Sequence, residues 1–152
     1  MSRVGRVRMW SDTLLLVERA HLARLLAWGA TSLIVGTALV ALLAWRRAGS
    51  PLLTHFGIQT AAWGALDVAL AASAWRGLAE RDASGAARLE HLLWFDVGLD
   101  TGCVAVGATL ALAGWAMGRR LGAVGAGIGI AVQGLALVAL HARLLSVIPP
   151  LG

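Results

Sequence analysis

Four stretches of this chain, at about residues 25–45, 53–75, 92–117 and 121–146, carry little charge, and each is close to the ~20 residues that a helix needs to cross a bilayer. Soluble chains are about 45–50% apolar. This one of 152 residues is 59% apolar, with a mean hydropathy of +0.76. Within lipid every backbone N–H and C=O must be satisfied inside the segment itself. The expected fold is therefore all-α: an integral membrane four-helix bundle with antiparallel up-down topology at 25–152, preceded by a basic arm and an amphipathic interfacial helix at 1–24.

The charge distribution points to a membrane and not to nucleic acid. All 13 basic residues are arginine and the pI is near 11.5, yet they gather at span ends and form no stripe interleaved with aromatics. Four spans put Arg3, Arg6, Arg8, Arg19, Arg24, Arg76, Arg81, Arg88 and Arg143 on one side and Arg46, Arg47, Arg119 and Arg120 on the other. By the positive-inside rule the side with nine faces the cytoplasm, which makes the chain a multi-pass protein of the cytoplasmic membrane with both termini cytoplasmic. The run at 14–17 is too short for a cleavable signal, and Glu18, Arg19 and Arg24 interrupt it. Trp75 and Trp94 on one side, with Trp45 and Trp115 on the other, fit aromatic belts at headgroup level.

Punctuation is clear along the chain. Ser11 or Asp12 is the expected cap of the amphipathic helix, Gly49 and Pro51 mark a tight turn, and Pro149 and Pro150 end the fourth span. The segment near 76–90, with nearly balanced charges, reads as a solvated connector with a short helical stretch. Glycines four apart, Gly98 with Gly102, Gly114 with Gly118 and Gly125 with Gly129, suit close helix packing within the chain, with a homo-oligomer as the other use.

The acids inside the spans are the main functional clue, because ionisable groups in lipid are costly and usually face a partner or a pathway. Asp67 precedes Trp75 by eight residues, Asp100 follows His91 by nine, and Gln133 precedes His141 by eight. At about 1.5 Å per residue all three sit roughly 12–14 Å below one interface, with Asp96 shallower at roughly 7–8 Å. Thr31 and Ser32 give the first span polar groups at comparable depth. Helical stripes of Thr60, Gly64, Asp67 and Ala71, of Asp96, Asp100, Cys103 and Gly107, and of Gly122, Gly125, Gly129, Gln133 and Ala136 put the polar groups on small-residue faces. Asp67, Asp96, Asp100 and Gln133 are thus the candidate ligand or proton site. Three uses are open: an aspartic acid donating a structural hydrogen bond, a proton or cation site, and the floor of a small-molecule pocket.

A second constellation lies nearer the interface. Glu18 and His21 have Glu-x-x-His spacing, Glu90 and His91 open the third span, and His141 approaches the end of the fourth. Carboxylates and imidazoles on several bundle helices can ligate a metal, so a metal- or haem-binding membrane protein is the alternative, with ion pairing to nearby arginines as the plain reading. Cys103 stands alone as a small apolar residue. No phosphate loop, paired Cys-x-x-Cys or supported Ser-His-Asp arrangement is present, and the alternate glycines of 125–129 lie within a span and follow no strand.

The segments LWFDVGLDTG at 93–102 and GAGIGIAVQG at 125–134 resemble a family of small bacterial four-span membrane proteins of unknown function, with a Gly-Leu-Asp element on the third helix and a Gln-Gly element on the fourth. The resemblance covers mainly the second half of the chain and marks Gly98, Leu99, Asp100, Gln133 and Gly134. It departs at Asp96, where an uncharged amide is expected, and at His141, where an acid is expected. The functional expectation is a binding or transport-related module with a buried polar core rather than an enzyme, with the lipid bilayer as its surroundings and no cofactor specified. A structural subunit of a membrane complex is the third possibility.

Overall fold

The computed structural model describes residues 3–148 and contains four helices: α1 (Arg3–Trp45), α2 (Pro51–Arg76), α3 (Ala83–Ala116) and α4 (Leu121–Val147). Pro149 and Pro150, expected to end α4, lie outside the described residues. No strand occurs among the described residues. The chain is an all-α, up-down arrangement of two antiparallel hairpins.

At 43 residues α1 is about 64 Å long, twice the hydrocarbon thickness of ~30 Å. It absorbs the interfacial helix and the first span without a break, and begins ahead of the expected cap at Ser11 or Asp12. Neither glycine nor proline occurs between Gly5 and Gly29. The hydroxyl of Thr13 donates back to the Met9 carbonyl at 2.8 Å, as it does inside a helix.

Local chemistry ends the other helices. Arg47 takes a left-handed conformation (φ 49°) while Arg47 N–H donates to Ala44 and Ala48 N–H to Leu43, a Schellman closure of α1. Ser50 then caps α2, with Pro51 in its first turn. Asp82 caps α3 by accepting from Gly85 N–H at 2.7 Å, so α3 starts at Ala83, well before the apolar run at 92. The connector shrinks to residues 77–82. The turn into α4 uses positive φ at Gly118 and Arg119.

Glycine spaced by seven residues builds both hairpins. Gly29 and Gly36 of α1 face Gly64 and Gly57 of α2. A Cβ on Gly36 would lie 2.5 Å from the Ala61 nitrogen and 2.6 Å from the Gly57 oxygen. In the second hairpin Gly107 faces Gly127, where a Cβ on Gly107 would lie 2.6 Å from both the Ala131 nitrogen and the Gly127 oxygen, and Gly134 abuts the Asp100 backbone. A seven-residue step is nearly two helical turns, so the paired glycines stay on one face. The four-residue pairs are only partly used. Gly125 and Gly129 pack on Leu52, Phe56 and Gln59 of α2, whereas Gly98, Gly102 and Gly118 meet nothing.

The hairpins join through α2 and α4, with a smaller α1–α4 contact. No α1–α3 or α2–α3 packing occurs among the described residues. Consequently α4 is the central helix: 44% of its most apolar stretch is buried, against 17% for those of α1 and α3. Three helices are long and apolar enough to cross a membrane, over Met9–Trp45, Ala83–Ala116 and Leu121–Val147. By comparison α2 is less apolar, its 26 residues carrying His55, Gln59, Thr60 and Asp67. Outside, Ile34, Leu66, Leu70, Leu99, Val106, Leu112 and Leu135 are exposed, an apolar surface that water would not tolerate and lipid would. Trp45, Trp75, Trp94 and Trp115 are exposed as well.

Candidate functional site: a polar cluster centred on the fourth helix

The stripes of the sequence are the buried faces of the helices. Gly64, Asp67 and Ala71 are buried on α2, Asp100 and Gly107 on α3, and Gly125, Gly129 and Gln133 on α4. Small residues make the room. A Cβ on Gly29 would come within 2.8 Å of the Asp67 Cβ, so α1 offers bare backbone where α2 carries its acid.

Two pairs anchor the cluster. The Gln133 amide Nε2 donates to Asp67 Oδ2, joining α4 to α2, with Gln133 2% and Asp67 6% exposed. His141 Nδ1 lies 2.8 Å from Asp100 Oδ2, joining α4 to α3. From α1, the His21 ring sits 5.3 Å from that of His141 at 47°. All four helices therefore contribute, and α4 supplies the member common to each contact. Asp67 lies within electrostatic range of Asp100 and His141, and half-buried Asp96 within range of the same two groups.

Helix direction explains which depths match. Side chains lean toward the N-terminus of their own helix. Because α2 and α4 run the same way, Asp67 and Gln133 lean together and meet at equal depth. In contrast α3 and α4 are antiparallel, so Asp100 and His141 lean toward each other and close an axial offset. The backbone beside Asp100 is that of Gly134, seven residues from His141, or about 10 Å along the axis. Asp100 is thus drawn to His141 instead of to Gln133.

The outer layer of charge differs from a ligating set. Glu18, 5% exposed, receives both Arg81 Nε, at 2.9 and 3.2 Å, and the Arg81 terminal nitrogen at 2.5 Å. This fork ties the α2–α3 loop to α1 and holds the Arg81 guanidinium pKa above its ordinary value, through hydrogen bonding to Glu18 that outweighs partial burial. Glu90 and His91 are exposed. No group of three or more His, Cys, Asp or Glu is arranged to hold a metal among the described residues, so Glu18, His21, Glu90, His91 and His141 are not gathered together. Cys103 is half-buried and free, Ser32 is buried, and Thr31 is exposed. His55 lies over Gly122 at the α2–α4 contact.

Chemically, the cluster pairs titratable groups with hydrogen-bonding partners. A carboxyl oxygen and an imidazole nitrogen 2.8 Å apart share one proton, from Nδ1–H to carboxylate or from carboxylic acid to bare nitrogen. Glutamine suits both states of Asp67, because its NH₂ donates to a carboxylate and its carbonyl, after an amide flip, accepts from a carboxylic acid. Sequence reasoning found Asp67, Asp100 and Gln133 but not the Asp100–His141 pair. The available signal was the run Gln133, Leu137, His141, Leu144, spaced four, four and three, all of which are buried on α4.

A family model described as a family of unknown function (DUF6992) matches residues 24–142, the greater part of the chain and all of the cluster except His21. No curated protein and no solved structure matches.

Proposed function

The chain belongs to this family of unknown function, and we propose that it is a four-span protein of the cytoplasmic membrane whose α4-centred cluster binds and releases protons. The observation that carries this reading is the buried contact of His141 with Asp100, in a core to which every helix contributes a polar group. Buried acids in a bilayer are retained for partners or pathways, and here a second base, His21, stands beside the first. Asp100 and His141 share the exchanging proton, Asp67 with Gln133 forms a second station, and Asp96 adds a carboxyl nearer the loop. The chain acts as a binding or transport-related module, not as an enzyme.

Several features support four crossings with cytoplasmic termini. At about 39 Å, α2 is long enough to span, and its Gly57, Gly64, Asp67 and Ala71 are buried against α1 and α4, away from lipid. The excess of arginine on the side of the termini sets the orientation. Labelling of Ser2→Cys and Ser50→Cys in a background with Cys103 replaced tests it: only Ser50→Cys is labelled from outside, and labelling of Ser2→Cys there would reverse the orientation.

The proton site is tested by proton counting. Purified wild type, Asp67→Asn and Asp100→Asn are stepped in pH and the protons taken up are measured alongside folding. Each variant is expected to lose buffering capacity while remaining folded. Stable variants with unchanged proton uptake would remove the proposal.

A second reading, a bound metal or haem, has in its favour the His21–His141 ring contact and against it the lack, among the described residues, of any group of three or more His, Cys, Asp or Glu arranged for a metal. Bound metal or a visible absorption band in the purified protein would favour it, and absence of both after reconstitution would remove it.

A further inference from the structure

A cleft of about 430 Å³ runs between α1 and α4, apart from the polar cluster, with Arg24, Trp28 and Thr31 on one wall and Ala136, Ala139 and Leu140 on the other. The α1 residues are successive turns, so the cleft follows the helix axis for about 10 Å. Alanines on α4 hollow it out. Arg24 stands at the border of the apolar stretch that begins at residue 25 and is exposed. It makes no ion pair among the described residues, and no acidic side chain lines the cleft. One turn deeper, the Trp28 indole Nε1 is enclosed without a hydrogen-bond partner, the one such buried side-chain atom among the described residues.

Buried donors normally find acceptors, and leaving one unmade costs about 1–3 kcal/mol. The cleft thus has an exposed cation at its mouth, Trp28 in its wall about 6 Å further in with its Nε1–H enclosed and unmatched, and an apolar floor. A phospholipid carries complementary groups in this order. The headgroup layer is roughly 5–8 Å deep, with phosphate at the top and ester carbonyls at the hydrocarbon border. We propose that the α1–α4 cleft binds one anionic phospholipid from the leaflet on the side of the α2–α3 loop. Arg24 takes its phosphate, the Trp28 ring turns to bring its enclosed Nε1–H to an ester carbonyl, and an acyl chain lies along Ala136, Ala139 and Leu140. This rests on the placement in a membrane and is independent of proton binding.

The test is lipid retention. Protein is reconstituted into mixed phosphatidylcholine and phosphatidylglycerol vesicles and re-extracted in detergent, and the lipid that stays bound is identified by native mass spectrometry. Wild type is expected to keep one phosphatidylglycerol in preference to phosphatidylcholine. Arg24→Gln should lower that occupancy about fivefold at limiting lipid, the value of one surface arginine against an anionic headgroup. Trp28→Phe, which keeps the ring but removes the donor, should weaken retention of both lipids, and Arg119→Gln at the opposite end should change nothing. Ala136→Leu fills the cleft and should abolish retention, and it decides the matter if Arg24→Gln does not fold. Equal retention of the two lipids with no effect of Arg24→Gln would overturn the site, as would a filled cleft that still holds lipid. Protein that stays in solution without detergent or lipid would overturn the membrane placement with it.

Discussion

Gly36 offers the most quantitative test of how the helices are held. A methyl group there would meet the Ala61 nitrogen at 2.5 Å, the Gly57 oxygen at 2.6 Å and the Ala61 Cα at 3.0 Å. All are backbone atoms that cannot rotate away. Ordinary contact is about 3.5–4.0 Å, so α1 and α2 must part by roughly 1 Å, which forfeits a quarter to a half of the attraction of each separated atom pair. If the loosened interface holds about 40–60 such pairs at 0.1–0.2 kcal/mol each, the loss is a few kcal/mol, or about 1–3 after the helices re-seat. Gly98→Ala is the control, because a Cβ there meets nothing and alanine gains up to about 1 kcal/mol of helix propensity over glycine. Both substitutions share that propensity gain, so the contrast between them reports packing alone. In equilibrium unfolding from mixed micelles, Gly36→Ala should be about 1–3 kcal/mol less stable than Gly98→Ala, a factor of roughly 5 to 150. Equal stabilities would refute the seven-residue glycine packing of the first hairpin.

Other expectations concern single contacts. Gln133→Leu leaves the buried Asp67 carboxyl without its partner and should cost about 1–3 kcal/mol, whereas Asp67→Leu combined with Gln133→Leu should cost less than Gln133→Leu alone, since removing both partners leaves nothing unsatisfied. Arg81→Met deprives Glu18 of its fork; hydrogen bonds to a charged group are worth about 1.5–3 kcal/mol, and a double-mutant cycle with Glu18→Gln should recover coupling of that order, with zero coupling ruling the latch out. Gly85 N–H and Ser84 hold the Asp82 carboxyl below its ordinary pKa of 3.8. A group depressed in the folded state stabilises above its unfolded pKa and loses that contribution as pH falls through its folded value. Hydrogen-exchange protection in the first turn of α3, taken relative to the intrinsic rate at each pH, should therefore be unchanged from neutral pH down to about 4 and fall below it, and Asp82→Ala should abolish that pH dependence.

The limits of sequence reasoning here have physical causes. Stripes at helical spacing were legible because each burying face is set by a period local to one helix, and those around Asp67, Asp100 and Gln133 are buried in the structure. Depth counted along the chain put Asp67, Asp100 and Gln133 at one level without pairing them. Asp67 meets Gln133 across parallel helices, but the opposed lean of side chains on antiparallel α3 and α4 sends Asp100 to His141. Glycine spacing misled at Gly98 and Gly102, because a four-residue pair says that a close approach is possible, not that a neighbour is there. The Glu18–Arg81 fork joins residues 63 apart. Nothing in the local charge balance of the loop near 76–90 distinguishes Arg81 from Arg76 or Arg88.

The central claim, reversible protonation of the buried carboxyls, is tested most directly by difference infrared spectroscopy of the carboxyl C=O stretch across a pH step, in lipid, for wild type and for Asp67→Asn and Asp100→Asn. The account predicts a pH-dependent carboxylic acid band from which each variant removes a part, with the Asp100 part also altered by His141→Gln. A spectrum that shows no carboxyl change while the protein stays folded, or a band that both variants keep intact, would contradict it.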